Sequence, residues 1–408
     1  MKNFGRLIFI LLVGFGPAGC DENILLGDYQ IENVTIIDGT GNEPYVSNVT
    51  IYQGKILIHK DSSEFDVKGE VIDGTGKFLI PGLWDMHVHL AADTKDPNAP
   101  VDLVNAGVTN IRDTGGYLED IEKLKSEIES GVKTGPNIYY VGPTLNGEVF
   151  ADFQTLVATP EEGREMVRTL YAKGVDAIKI HRATSAEVLM AITETAHGLG
   201  LTVAGHIPLG NPPTLACEAG LGSVEHLGSF LEAWISVTEG EEATMAGSLN
   251  YMLSEEADPL LDCLVEARVY VTPTIIIYPY IAKSRGGEEM IELGKRTVEA
   301  MQQILTRFRK YGIPLMAGTD APLLETGIPF GESIVEELEI LQGAGYTNLE
   351  LLQIATKNPA TFMGVYEEVG SIDTGKRADL VLLLENPLED ISNLRTVDAV
   401  FVSGRKVK

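Results

Sequence analysis

Leu79-Ile80-Pro81-Gly82-Leu83-Trp84-Asp85-Met86-His87-Val88-His89 marks a change in the character of the chain. Before it, from residue 31 onward, short apolar runs are separated by Asp38-Gly39, Gln53-Gly54 and Asp73-Gly74, the punctuation of a small β module. After it, short apolar strands alternate with helical stretches, as in repeated βα units around a parallel sheet. Strand signals fall near residues 83–89, 109–113, 138–141, 177–180, 202–206, 223–226, 269–275 and 315–318, with helical stretches such as 121–129, 186–199 and 290–311 between them. This alternation predicts an α/β fold, a (β/α)8 TIM barrel. Residues 227–267 are too many for one plain crossover and predict an inserted helical lid. Strand signals return at 379–384 and 399–402, so both chain ends are expected to build one small β-sandwich, from residues 20–80 and 365–408, around a barrel of 81–364.

With 408 residues, 44% of them apolar and 22% charged, the chain has the side chains for a large core and lacks the signature of disorder. Acidic residues outnumber basic ones 59 to 31, a net −28, and such a surface repels phosphate backbones. No nucleic-acid partner is expected. The expected partner is a small-molecule substrate, and a homo-oligomer stays open.

At the N-terminus, Lys2 and Arg6 flank the apolar run 7–13, and Ala18-Gly19-Cys20 follows. The run is shorter than the roughly 20 residues of a membrane-spanning helix and precedes small residues, as in a signal peptide. Ala18-Gly19-Cys20 resembles a bacterial lipoprotein signal, with Pro17 where Leu is usual. Residues 1–19 are therefore expected to be removed and Cys20 lipidated, placing an exported protein on the periplasmic side of a membrane through its anchor. Cys217 and Cys263 sit in apolar, helix-like stretches and are expected to be buried free thiols, although an oxidising compartment would permit a bridge.

Four of the seven histidines, His87, His89, His206 and His226, fall at or near the C-terminal ends of predicted strands, and Asp320 falls just beyond another. In a parallel barrel that end is where active sites are built. His87 and His89, two apart on a strand, project to one face and can reach one ion. Adding His206, His226 and Asp320 supplies the three to six nitrogen and oxygen ligands that zinc, manganese or iron needs. Lys179 lies in the apolar run Ala177-Ile178-Lys179-Ile180, where a bare ammonium would be costly. Either an acid at the barrel mouth pairs with it, or the amine becomes a carbamate and a ligand. Trp84, Arg112, His181, Arg182, Tyr278 and Tyr280 lie near strand ends as candidate substrate contacts, with His181, Arg112 and Tyr278 foremost, and an Arg there could grip a carboxylate with two parallel hydrogen bonds. His59 and His197 read as structural or surface residues.

The order of these motifs resembles the metal-dependent amidohydrolase superfamily, in its imidazolonepropionase-like branch that includes Xaa-Pro-type dipeptidases. The matching text is the 79–89 stretch, Gly107-Val108-Thr109-Asn110-Ile111-Arg112-Asp113, Ile178-Lys179-Ile180, Ala204-Gly205-His206, Glu225-His226-Leu227, Ala317-Gly318-Thr319-Asp320 and the 370–380 stretch Gly-Ser-Ile-Asp-Thr-Gly-Lys-Arg-Ala-Asp-Leu. The resemblance runs from about residue 28 to the end of the chain. It implies two divalent ions, zinc first, with manganese or iron as alternatives. His87, His89 and Asp320 would hold the more buried ion, His206 and His226 the second, and carboxylated Lys179 would bridge them. The implied reaction is hydrolysis of an amide C–N bond in dipeptides or N-acyl amino acids by metal-activated hydroxide, with Asp320 carrying the proton. Some dipeptidase relatives carry a His shortly after residues 141–147, where Glu148-Val149-Phe150 stands here. Deamination, lactone opening and phosphotriester hydrolysis are alternatives on the same site, and a non-catalytic exported binding protein is an alternative of another class. No Gly-x-Ser-x-Gly elbow offers a serine nucleophile.

Overall fold

The computed structural model describes residues 27–60, 69–92, 96–322 and 326–408; the predicted signal segment and Cys20 lie outside the described residues. Strands from both chain ends form one sheet in the order Arg405–Lys406, Val397–Val402, Leu380–Leu383, Phe78–Pro81, Tyr29–Ile36, Tyr45–Tyr52 and Lys55–His59, with Glu70–Asp73 also pairing to Tyr29–Ile36. Strand alternation divides its apolar residues between two cores. Ile36, Leu79, Leu380, Leu382, Ala399 and Phe401 face the sheet's own interior, while Ile37, Ile80, Val381, Leu383, Val400 and Val402 pack on the barrel.

The sheet curls until its far strand meets the segment leading into Leu380–Leu383. There the Ile56 N–H donates to Lys376 O (2.9 Å), Gly375 N–H to Ile56 O (2.8 Å) and Ala378 N–H to Gly54 O (2.8 Å). Gly404, at φ +79°, lies so close to Gly54 that a Cβ would stand 2.4 Å from the Gly54 Cα, which requires glycine at this closure.

In the barrel, Leu83–Val88 and Val108–Asp113 are buried at every position, as expected of parallel strands covered on both faces. Asn137–Tyr140, Ala177–Ile180, Thr202–Gly205, Ser223–Glu225 and Tyr270–Thr272 continue the ring. The predicted eighth strand closes it through isolated parallel bridges, Leu315 to Val271 and Ala321 to Val88, and through a Met86 N–H bond to Ala317 O (2.9 Å). Its extended run is interrupted by the positive φ of Asp320, 62°. The third strand is also broken. Gly142 at φ +72° and Pro143, which has no N–H to donate, divide Asn137–Tyr140 from Thr144–Asn146. An additional strand absent from the sequence expectation, Gln154–Leu156, pairs with Thr144–Asn146 at the mouth.

The long segment after the sixth barrel strand is helical as expected, with helices Gly228–Val237, Met245–Leu253 and Asp258–Glu266. Met245–Leu253 and Asp258–Glu266 pack against the long helix Glu288–Tyr311. Among the described residues no helix is long and apolar enough to cross a membrane.

The expectation of free thiols is overturned: Cys217 and Cys263 form a disulfide, with Cα atoms 6.1 Å apart. Tertiary packing of Leu215–Glu218 beside Asp258–Glu266 creates that proximity, which sequence alone does not specify. The bridge spans 46 positions and encloses the strand leading to His226. Closing a loop of that length removes denatured-state entropy worth about 4 kcal/mol. Cys217→Ser is accordingly expected to lower unfolding free energy by about 2–4 kcal/mol in chemical denaturation, and an unchanged midpoint would contradict that contribution.

Candidate metal centre and active site

Six side chains converge at the C-terminal end of the barrel: His87, His89, Lys179, His206, His226 and Asp320 all line one cleft of about 290 Å³. Two of them, His226 (φ 65°) and Asp320 (φ 62°), hold positive φ, as does Thr274 (φ 49°), whose hydroxyl contacts His226. Such backbone is uncommon away from glycine and marks places where the chain leaves its strand to aim a side chain. The Asp320 N–H donates to His87 O (2.7 Å) and the His226 N–H to Thr272 O (2.9 Å), so both turns are anchored to neighbouring strands.

Among the four histidines that could hold a metal, three have their Nδ1 atoms engaged. His87 Nδ1 lies 2.7 Å from Glu225 Oε2, His89 Nδ1 2.8 Å from Gly115 O and His226 Nδ1 2.7 Å from Thr274 Oγ1. The Nε2 atoms of His87 and His89 are left 3.3 and 3.2 Å from the same oxygen, Asp320 Oδ1. The ligand atoms of this trio lie within 4.8 Å of one another. His87 Nε2 is buried without a hydrogen-bond partner, as is His206 Nδ1. A buried orphan nitrogen is costly, and a divalent cation satisfies it with the ligand chemistry that zinc prefers. The residues present therefore fit a metal.

The electrostatics agree. Burial lowers His226 to about 3 and, with His226 beside it, holds His206 well below the usual imidazole range, so both rings are neutral and able to donate a lone pair. Burial alone would raise Asp320, but His87 and His89 outweigh it and hold the carboxyl well below its ordinary value. Lys179 is 2% exposed, and among the described residues no carboxylate forms an ion pair with its amine within 4.0 Å, although the charges of Glu225 and Asp320 are felt there. Burial lowers it to about 8, leaving an appreciable fraction as neutral amine near neutral pH.

Sequence reasoning missed the support beneath this layer. Glu225, fully buried, accepts from His87 Nδ1–H through Oε2, and through Oε1 from Arg112 Nη2 (2.7 Å) and the Ser223 hydroxyl (2.6 Å). Asp85 accepts the Thr319 hydroxyl (2.6 Å) and the backbone N–H groups of His87 and Thr319 (3.2 and 3.1 Å), tying the His87 strand to the Asp320 segment. The available signal was clear for Asp85 alone, an acid in the otherwise apolar start of its strand, whereas Glu225 ends the short strand Ser223–Glu225. Groups that orient a metal-binding His tune affinity by roughly 10- to 100-fold. Glu225→Gln, which keeps shape and removes charge, is expected to weaken metal retention in chelator competition by about that factor. Unchanged retention would assign Glu225 to packing alone.

The candidate substrate contacts divide. His181 lines the cleft, its ring 4.2 Å from that of His206. Arg112 does not reach it: the guanidinium is fully buried across the barrel interior, donating to Met86 O (2.8 Å), Ser223 and Glu225. Tyr278 is also displaced, because the chain turns at Thr274 and enters helix Ile277–Arg285, leaving the ring outside the cleft lining and its hydroxyl against Gly228. Tyr280 donates to Glu336 (3.3 Å), and Trp84 is buried against Tyr139. Arg182 does not line the cleft; it is half-exposed, 3.7 Å from Glu232 and over the Phe150 ring. Thr144 and Gln154, from the two short strands paired at the mouth, and Phe153 between them also line the cleft, with Ala92 and Pro322.

Comparison with known proteins gives the family and supports the fold. The amidohydrolase family model matches residues 78–407. Ochratoxinase of Aspergillus niger is 24% identical, with 90% of this chain and 83% of that protein covered. A 5-methylthioadenosine/S-adenosylhomocysteine deaminase of Thermoanaerobacter pseudethanolicus is 23% identical over 92% of each. The crystal structure of a Xaa-Pro dipeptidase with bound methionine in its active site superposes with a TM-score of 0.73 at 24% identity, covering 93% of this chain and 99% of that one. With its barrel, its strand-end histidines and a family match across most of its length, the chain belongs to the amidohydrolase family and is a metal-dependent hydrolase of C–N bonds.

Proposed function

We propose that the chain cleaves the amide bond of small N-acyl amino acids or dipeptides at a two-metal centre, with His87, His89 and Asp320 at one ion, His206 and His226 at the other, and carboxylated Lys179 between them. The observation that carries the proposal is the meeting of all six side chains in one cleft of about 290 Å³, a volume suited to a small substrate. Divalent ions held by these residues would supply Lewis acidity and bring the pKa of water down towards 7. Asp320 accepts a proton from the attacking water and returns it to the leaving amine. Phe153 lines the cleft, its ring 6.0 Å from that of His89, and gives the site an apolar wall. Arg182, next in sequence to the cleft-lining His181, would meet a substrate carboxylate by leaving Glu232, 3.7 Å away, while Arg112 lies inside the barrel.

The test is a panel of dipeptides and N-acyl amino acids, each paired with its C-terminal amide or ester. Faster cleavage of the carboxylate forms supports the proposal. Hydrolysis confined to lactones, phosphotriesters or amino-purines contradicts it.

The same proposal places the protein on the periplasmic side of a membrane, held by lipidated Cys20. The Cys217–Cys263 disulfide supports an oxidising compartment. Cys20→Ser is expected to move the protein from the membrane to the soluble fraction of a Gram-negative host, and a wild-type N-terminus without acyl mass would refute the anchor.

A further inference from the structure

Asn146 ends strand Thr144–Asn146, fully buried, and every polar atom of its side chain has a partner. Its Oδ1 accepts the backbone N–H groups of Gly147 (3.1 Å) and Ala183 (3.0 Å), which fixes the amide orientation, because a flipped NH2 would face two donors. The Nδ2 then lies 3.4 Å from Gln154 Oε1 and 3.4 Å from His181 Nδ1. The neighbouring Gly147 is forced by this closure: a Cβ there would stand 2.1 Å from Ala183 O.

An amide nitrogen of this kind only donates, so His181 Nδ1 must accept. The single proton of the neutral ring is thereby placed on Nε2. The His181 N–H donates to Leu145 O (2.9 Å), which carries the strand pairing one residue past Ile180. His181 therefore shares the face of Lys179, two positions earlier, and lines the same cleft as Lys179, His206 and Asp320. None of the metal-holding roles assigned above uses it.

We infer that His181 donates its Nε2–H to the scissile carbonyl oxygen as negative charge develops there, and that Asn146 is the positioning residue that fixes the donating tautomer. The inference rests on the amide-hydrolase proposal. In that reaction the water oxygen bonds to the amide carbon and the carbonyl π pair moves onto oxygen, where Nε2–H meets it. The pair then returns, the C–N bond breaks, and the amine leaves with the proton carried by Asp320, giving a carboxylic acid and an amine. One preorganised donor of this type contributes roughly 10²- to 10³-fold to kcat.

The experiment combines kinetics on the amide panel with nitrogen NMR of histidine-labelled, zinc-loaded full-length protein, using His181→Phe to assign the resonance. The expected results are an Nε2-protonated, Nδ1-bare His181, a kcat loss of roughly 10²- to 10³-fold in His181→Phe with KM changed only a few-fold and metal content intact, and partial recovery in His181→Gln, whose amide can donate. A proton on Nδ1, an unchanged kcat in His181→Phe, or loss of metal from that variant would each overturn the role. A wild-type protein that cleaves no amide overturns the amide-hydrolase proposal and this role together, whereas an active wild type with an equally active His181→Phe overturns this role alone.

Discussion

Asp320→Asn is expected to lower kcat by roughly 10²- to 10⁴-fold while the chain stays folded. Asn is tolerated at positive φ better than other side chains, so the turn at φ 62° keeps its geometry, and the Asp320 N–H bond to His87 O is made by backbone alone. What changes is chemistry. The carboxylate oxygen facing Nε2 of both His87 and His89 becomes part of a neutral amide that cannot carry a proton from water to the departing amine. Steady-state kinetics with circular dichroism and a thermal melt decide the matter. A variant with native folding and native kcat would remove Asp320 from the reaction.

Lys179→Ala is expected to lose one ion per chain and, with it, about 10²-fold or more in rate, since one ion supplies several kcal/mol of charge stabilisation. The amine is buried, with no carboxylate in an ion pair with it within 4.0 Å among the described residues, and burial lowers it to about 8. A neutral amine adds to carbon dioxide, forming an N–C bond and releasing one proton, and the resulting carbamate anion offers two oxygens to cations. The variant removes that anion but leaves space for another, so acetate or propionate is expected to restore part of the metal content and rate. Full metal content in Lys179→Ala would leave Lys179 an ordinary buried amine.

The parts of the site legible in the sequence were those where strand period and strand end coincide. His87 and His89 share a face because they are two apart, and His206, His226 and Asp320 each fall at or just beyond the end of a predicted strand. Lys179 declared itself as a charge in such a run. Arg112 failed for the opposite reason: a long side chain on a barrel strand can cross the interior, and only the position of Glu225 on another strand decides where its guanidinium rests. Tyr278 was lost to a single turn at Thr274, which redirects the chain before the helix begins. Asn146, Phe153 and Gln154 come from a segment held by side-chain hydrogen bonds with no repeat of apolar residues. The Cys217–Cys263 bridge depends on helix packing, and two cysteines carry no spacing rule that reveals it. The β domain was readable from its turn dipeptides, but its curl, sealed by Gly54 against Gly404, required the third dimension.

Elemental analysis of the purified full-length protein, loaded with zinc and dialysed, tests the two-metal centre most directly. The convergence of His87, His89 and Asp320 with Lys179, His206 and His226 predicts a saturating content of two ions per chain, falling to one in His206→Ala with the other ion retained. A wild-type content of one ion would contradict the bridging role of Lys179, and a content of none with amide hydrolysis intact would contradict the metal centre itself.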